Sequence, residues 1–286
     1  MKLPPAFVSW LQVGPLALVL ALFFGVPMIV VFIVSFFDFQ QTSIIPTFIL
    51  DNYREIFTSD VTVRLYLSTL KFALIVWALT FVIGFTLANF LVFHVRNLVV
   101  KLALFALVSV PFWTSNIIRM IAWIPFLGRN GLLNKALLDA HIVPHPLEFL
   151  LFSDFAVVLA YVHLFTLFMV VPIFNSMARI DPQLIEAARD AGASRWQILR
   201  EIVLPLSKSG IALGSIFVIT QVMGDFFVVK IMSGGQSASV VSALQDEIAA
   251  LQYPPAAASA VVLVIVVVLM VAGVLRVVDV RKELAA

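Results

Sequence analysis

Residues 185–205 read IEAARDAGASRWQILREIVLP, a polar stretch between two long apolar segments. It carries Glu186, Arg189, Asp190, Arg195, Arg200 and Glu201, where its surroundings carry almost no charge. Its punctuation is helical. Asp181 before Pro182 is a helix start, with Asp as N-cap and Pro at the first helical position. Leu184, Ile185 and Ala188 follow at helical spacing and predict a short helix up to Ala191. Gly192 ends it. Ser194, with Gln197 three residues on, is a capping box that starts a second helix over Arg195–Val203, stopped near Pro205. The reading is two short helices joined at a glycine elbow. Ala187, Ala188, Ala191 and Gly192 leave one surface low and smooth, a surface suited to close docking by another protein.

The rest of the chain says which medium surrounds that block. Of 286 residues, 62% are hydrophobic and 12% charged, and the mean hydropathy is +1.10. Soluble domains run at about 25% charged, so the solvent for most of this surface must be lipid. A net charge of +2 is too small to imply nucleic acid. The absence of cysteine excludes disulfides, thiolate metal sites and cysteine nucleophiles together.

A spanning helix needs about 20 mostly apolar residues. Six such segments are expected: 13–37, punctuated by Gly14, Pro15 and Pro27; 66–93; 99–124, broken by Pro111; 155–176, with Pro172 near its end; 210–232; and 256–278. The first is too long for a signal-peptide core and reads as an uncleaved anchor. The fold class expected is all-α integral membrane, a single transmembrane domain over the whole chain with the 181–205 helix pair between the fourth and fifth spans. Lys and Arg set the orientation. Lys2, Arg96, Lys101, Arg179, Arg189, Arg195, Arg200, Lys208, Arg276, Arg281 and Lys282 fall on one side, while Arg54, Arg64, Arg129 and Lys135 on the other are offset by acids. Both termini and the quoted block are therefore expected in the cytoplasm. On the opposite side, 131–140 (GLLNKALLDA) reads as a short amphipathic interfacial helix, SGGQ at 233–236 as a flexible glycine loop, and Tyr253-Pro254-Pro255 as a stop before the last span.

The quoted block resembles the coupling motif of inner-membrane subunits of type I ABC importers: E-A-A, three residues, G, nine residues, I-x-L-P. Glu186, Ala187, Ala188, Gly192, Ile202, Leu204 and Pro205 meet every spacing. That resemblance implies that the helix pair docks in a cleft of a cytoplasmic ATPase, with Glu186 a charged anchor and Gly192 making a turn that no Cβ would fit. ATP-driven closure of the ATPase would then drive alternating access. The resemblance further implies a second, homologous permease subunit, two ABC ATPase subunits, a periplasmic or lipid-anchored solute-binding protein, and residence in a bacterial inner membrane. No phosphate-binding G-x-x-x-x-G-K-[ST] loop occurs, so the chain is expected to be no enzyme and to hold no cofactor, ATP being bound by its partners.

A second resemblance lies in VPFWTSNIIRMIAWIPFLGRNGLLN at 110–134. Pro111, Phe112, Trp113, Thr114, Ile118 and Arg119, then Gly131 and Asn134, are similar to the third span and following loop of spermidine/putrescine permeases. This implies a polyamine or a related small cationic solute; relatives carrying other small solutes share much of the pattern. Ionisable residues inside spans are costly and are site candidates by default. Asp225 is expected midway along the fifth span with Gln221 at i−4 on the same face. It is read either as the partner of a protonated amine or as half of a structural ion pair. Asn116, Arg119 and Trp123 are expected to share a helical face. Arg119 either snorkels to the interface or pairs with Asp225. Trp113 and Tyr161 are either cation–π partners for an amine or packing residues. His163 is expected to be hydrogen-bonded within the bundle, and Lys71 and Lys230 to snorkel.

Two other function classes are weighed. An ion-coupled secondary transporter permits six spans and Asp225 but leaves the 185–205 block unexplained. A membrane enzyme lacks its chemistry: His94, His141, His145 and His163 are scattered, and Pro144 spoils the His141–His145 pair as a metal site.

Overall fold

A computed structural model describes residues 5–40 and 43–277. Lys2, Arg281, Lys282 and the last residue of the expected sixth span lie outside the described residues. The chain is overwhelmingly helical. Four helical stretches are long and apolar enough to cross a membrane, or up to six if each of two bent pairs counts as one span.

Contacts divide the chain into two units. One holds the N-terminal part up to Val63 together with Ala243–Ile265. It begins with α1 (Pro5–Leu20), which runs through a π-turn at Ala21–Gly25 into α2 (Val26–Val34). The side chains of α2 point outward almost without exception, as expected where lipid solvates an apolar helix. A hairpin of β1 (Phe37–Gln40) and antiparallel β2 (Ser43–Phe48) follows, which the hydropathy pattern did not announce. It is pinned by Phe36, stacked on Phe48 at 4.5 Å, and by Asn52 of α3 (Asp51–Thr58), whose amide donates to the carbonyls of Ser35 and Phe37.

The second unit is Arg64–Ser242 with Val266 onward. Most of α4 (Asp60–Phe93) lies in it. Asn97 then caps α5 (Leu98–Ser109), accepting from the amides of Val99 and Val100. The expected span 99–124 is not one helix. Pro111 converts Val110–Trp113 to a tighter 3₁₀ turn, and the chain bends by 93° before α6 (Asn116–Ile121). A proline lacks the amide that would continue the ladder and crowds the preceding turn. Next come α7 (Trp123–Leu127) and α8 (Leu132–Asp139). The latter is the short helix expected over 131–140. It is held by Asn134, fully buried and bonded to Gly128 and Leu147.

The centre of this unit is α9 (Asp154–Met177), started by Ser153 as N-cap. Then follow α10 (Pro182–Asp190), α11 (Arg195–Ile198), a π-turn at Leu199–Val203 and α12 (Leu204–Leu206). After a 68° bend at Ser207 come α13 (Lys208–Gly224), α14 (Phe227–Met232), α15 (Val240–Ala249) and α16 (Tyr253–Val277). Tyr253-Pro254-Pro255 thus opens the last helix instead of stopping before it. Prolines fit a first turn, where amides have no partner anyway.

Lipid tails are as apolar as leucine, so packing between spans depends on close approach and polar links. Here α9 is approached through glycines. A Cβ on Gly210 would lie 2.4 Å from the Pro172 carbonyl oxygen; one on Gly214 would lie 2.7 Å from the Met169 sulfur, and one on Gly84 2.8 Å from Met169 Cγ. Trp77 Nε1 of α4 donates to Ser215 Oγ of α13 at 2.8 Å. Lys71 was expected to snorkel. Its ammonium pairs with Asp154 at the head of α9, which also takes a hydrogen bond from Ser237. The 233–236 loop is accordingly an ordered turn: Ser233 Oγ donates to the Ser237 carbonyl at 3.0 Å and accepts from the Gly235 amide at 3.2 Å.

Candidate functional site

Two places concentrate the residues that the sequence singles out. The first is the elbow at Gly192. Asp181 Oδ1 accepts the Gln183 amide at 2.9 Å, so α10 starts where its cap requires. It ends in a Schellman motif: the Gly192 amide donates to Arg189 O, and the Ala193 amide to Ala188 O, both at 2.9 Å. Gly192 has φ +85°, a left-handed conformation that costs a glycine nothing. A Cβ there would meet nothing within 4 Å. The glycine is required by its dihedral angle, not, as expected from the sequence, by lack of room. Ser194 and Gln197 then close the capping box in both directions, at 3.3 and 2.8 Å.

Between Arg195 and Pro205 the ladder shifts to a π-turn. Pro205 cannot donate back to Glu201, and a wider turn is one way to absorb that loss. Ile202 and Leu204 lie beside buried Val203. Ile185, Ile198 and Val203 are the pegs that face inward. The opposite side is open. Glu186, Ala187 and Gly192 are exposed, and so are Leu184, at 50%, and Trp196, at 68%. Neither of these two large side chains was among the sequence candidates, yet Trp196 is the one tryptophan in the polar block. That isolation was the signal that could have found it.

The second place is Asp225. It does not sit inside a helix. α13 stops at Gly224, Asp225 is extended at φ −97° and ψ 133°, and α14 starts at Phe227. The expected continuous span 210–232 is therefore broken at this residue. With Asp225 off the helical lattice, Gln221 at i−4 no longer shares its face; Gln221 is exposed and does not hydrogen-bond it. Asp225 Oδ1 caps the new helix by accepting the Val228 amide at 2.8 Å, and it also accepts Tyr161 Oη at 3.3 Å. Tyr161 is completely buried and stacked on Phe165, so its ring is not open to a solute. Its hydroxyl is what reaches the break.

The structure thus brings Tyr161 to Asp225 and leaves the other candidates elsewhere. Trp113 is 86% exposed at the end of the 3₁₀ turn, and Asn116, also exposed, accepts from Arg119. Among the described residues Arg119 makes no ion pair with Asp225. Ala122, between α6 and α7, keeps right-handed helical dihedrals at φ −63° and ψ −23°. His163 is bonded within the bundle as expected, its Nδ1 accepting Trp123 Nε1 at 3.0 Å. No cluster of three or more metal-ligating side chains occurs among the described residues.

Several apolar spans, one of them unwound at a half-buried carboxylate, and an exposed capped helix pair define a multi-pass membrane transport subunit. The chain belongs to the family described as binding-protein-dependent transport system inner membrane component, whose model matches residues 80–283. It is 33% identical over 227 residues to the spermidine/putrescine transport system permease protein PotB of Escherichia coli, covering 79% of this chain and 81% of that one. The corresponding PotC of the same organism is 37% identical over 67 residues, 23% of this chain and 25% of that one. The crystal structure of a bacterial alginate ABC transporter in complex with an alginate pentasaccharide-bound periplasmic protein shares the fold. Its TM-score is 0.76 at 19% identity, over 94% of this chain and 92% of that one. The protein is accordingly a multi-pass inner-membrane permease subunit.

Proposed function

We propose that this chain forms half of an alternating-access pathway for polyamines, or for a related small cationic solute, in an ATP-driven importer. A second homologous permease supplies the other half, two ABC ATPases bind and hydrolyse the ATP, and an external binding protein delivers the solute. The ATPases dock on the exposed side of the Gly192 elbow. The observation that carries this is the pairing of a fully capped, left-handed elbow with exposed large apolar side chains, Leu184 and Trp196, on the same helix pair as exposed Glu186. A polar block that spends its hydrogen bonds on its own rigidity and leaves a tryptophan in water is built to meet another protein. The elbow transmits force because α11, the π-turn and α12 lead directly into α13, so a push on the block reaches the Asp225 break.

The polyamine assignment is supported by the similarity to PotB and by the chemistry of Asp225. A carboxylate at an unwound point of a span suits a protonated amine by direct ion pairing. Tyr161 orients that carboxylate. The assembled complex reconstituted in liposomes provides the test. Trp196→Ala is expected to lower stimulated ATPase activity and uptake together, and Asp225→Asn to lower amine uptake with the subunits still assembled. Uptake by this chain alone under an ion gradient, or full activity of both variants, would refute the reading.

A further inference from the structure

Arg119 is a second charged group inside the apolar part of the chain, and the transport reading does not use it. It is 9% exposed. Its guanidinium donates to Asn116 Oδ1, a neutral acceptor, while its Nε–H is buried without an acceptor. A buried guanidinium without a counter-charge is costly. Arg119 faces a cavity of about 240 Å³ that His163 and Thr166 also line. Trp123 Nε1 can only donate, so His163 Nδ1 must accept, and the neutral ring carries its proton on Nε2. Thr166 donates its hydroxyl to the Val162 carbonyl at 2.5 Å, leaving lone pairs but no free proton. The donors available to the cavity are thus a guanidinium and an imidazole N–H. The remaining wall is apolar, from Val108, Phe112 and Leu164.

The position of this cavity in the chain narrows the anion. Leu98–Trp113 has 16 residues, about 24 Å at 1.5 Å per residue, close to a hydrocarbon core of about 30 Å. With that helix along the bilayer normal, the 93° bend lays Asn116–Asp139 parallel to the membrane surface. Arg119, in the first turn after that bend, then sits at about headgroup depth, and the exposed Trp113 at the bend is where interfacial aromatics belong.

We propose that Arg119 and His163 form a binding site for a phosphate oxyanion, with the guanidinium and the imidazole Nε2–H as donors and Val108, Phe112 and Leu164 against the apolar remainder of the ligand. The same chemistry is offered by the phosphodiester of a membrane phospholipid and by free inorganic phosphate. A guanidinium presents the planar fork that such oxygens accept. The apolar wall favours the lipid.

The test uses the intact transporter purified in mild detergent and washed to constant lipid content. Native mass spectrometry counts the phospholipid retained. Wild type is expected to keep one phospholipid per copy of this chain that Arg119→Gln releases about ten- to a hundredfold more readily, the range that 1.5–3 kcal/mol for a hydrogen bond to a charged group implies. His163→Phe should release it about tenfold more readily, and Arg119→Lys should fall between Gln and wild type. In a second arm, exhaustively stripped wild type is titrated with phosphatidylglycerol micelles or with inorganic phosphate while its thermal midpoint is followed. A rise with phosphatidylglycerol alone identifies the lipid, and a rise with inorganic phosphate identifies the free anion. Equal lipid retention in wild type and Arg119→Gln, with no response of stripped wild type to either ligand, overturns the proposal. Should Arg119→Gln fail to assemble, the stripped wild type decides alone.

Discussion

The chain interrupts a helix at Gly192 and again at Asp225, and it makes the two breaks by opposite means. At Gly192 everything is local. The left-handed glycine, the Schellman bonds to Ala188 and Arg189, and the Ser194–Gln197 box all lie within ten residues, and no other part of the molecule comes within 4 Å of where a Cβ would be. At Asp225 the dihedral angles are ordinary and no glycine or proline occupies the break itself. The helix stops there because Asp225 Oδ1 caps the next one and Tyr161, 64 residues away, holds the carboxylate. The first break is written wholly into neighbouring residues, whereas the second joins local signals, Gly224 and the Asp225 cap on Val228, to a Tyr161 contact that exists only once α9 and α13 have packed.

That contrast is open to attack in order of expected effect. The largest effect should come from Gly210→Val, which touches neither break. Its Cβ would fall 2.4 Å from the Pro172 carbonyl and force α13 off α9. Overpacking of this kind costs about 1–3 kcal/mol or more. It should reduce the yield of assembled complex on size exclusion and expose the 225–226 backbone to hydrogen exchange, while the 182–206 block keeps its protection. Loss of protection in both segments at once would show that the elbow is not autonomous.

Next, Gly192→Val should cost about 1–3 kcal/mol, because a β-branched residue is strained at φ +85°. It should uncouple ATP hydrolysis from uptake. Gly192→Asn should recover most of the loss, since Asn tolerates this region. If the two variants behave alike, side-chain volume at the docking face matters and the backbone does not. Smaller still, Tyr161→Phe removes one interhelical hydrogen bond worth about 0.6–1.7 kcal/mol. It should loosen the Asp225 break, seen as faster exchange of the Val228 amide, with no change at the elbow.

A pH dependence is expected outside both breaks. Glu247, on α15, has a buried carboxylate oxygen without a partner, and burial, followed by repulsion from Glu55, pushes its pKa from 4.5 up to about 7. The folded state therefore holds a proton that the unfolded chain releases near 4.5. Stability should be highest below that value and fall as pH rises through about 7. Glu247→Gln should flatten a melting-temperature profile over this window. A profile of equal slope in the variant would place the titration in another group.

Much of the coupling block was legible because its signals are short-range. An N-cap, a capping box and a left-handed glycine are each decided by residues within a few positions of one another, and Asp181, Ser194, Gln197 and Gly192 all do in the structure what their identities require. The spans were legible as apolar length, but their continuity was not. Pro111 was seen as an interruption, while the 93° bend that follows it was not, because whether a proline kinks or ends a helix depends on what the freed carbonyls find. Asp225 was read as a helical residue because Gly224, the one local breaker beside it, was passed over within an apolar run. The β1–β2 hairpin was hidden for a similar reason: apolar residues at 36–48 fit a strand or a helix end equally well, and the stack of Phe36 on Phe48 decides between them. Leu184 and Trp196 were missed because exposure is a property of the packed chain.

By itself the sequence determined the solvent, the approximate number of apolar segments, and the bent helix pair with its family motif, since each depends on composition or on contacts between near neighbours. Tertiary structure alone decided that Tyr161 reaches the break in the fifth span, that Lys71 is paired with Asp154 and not free, and that Arg119 is buried beside His163. Those outcomes depend on side chains tens of residues apart meeting across helices, and in a medium without a hydrophobic force between spans, it is the close approach of Gly84, Gly210 and Gly214 to α9 that brings them there.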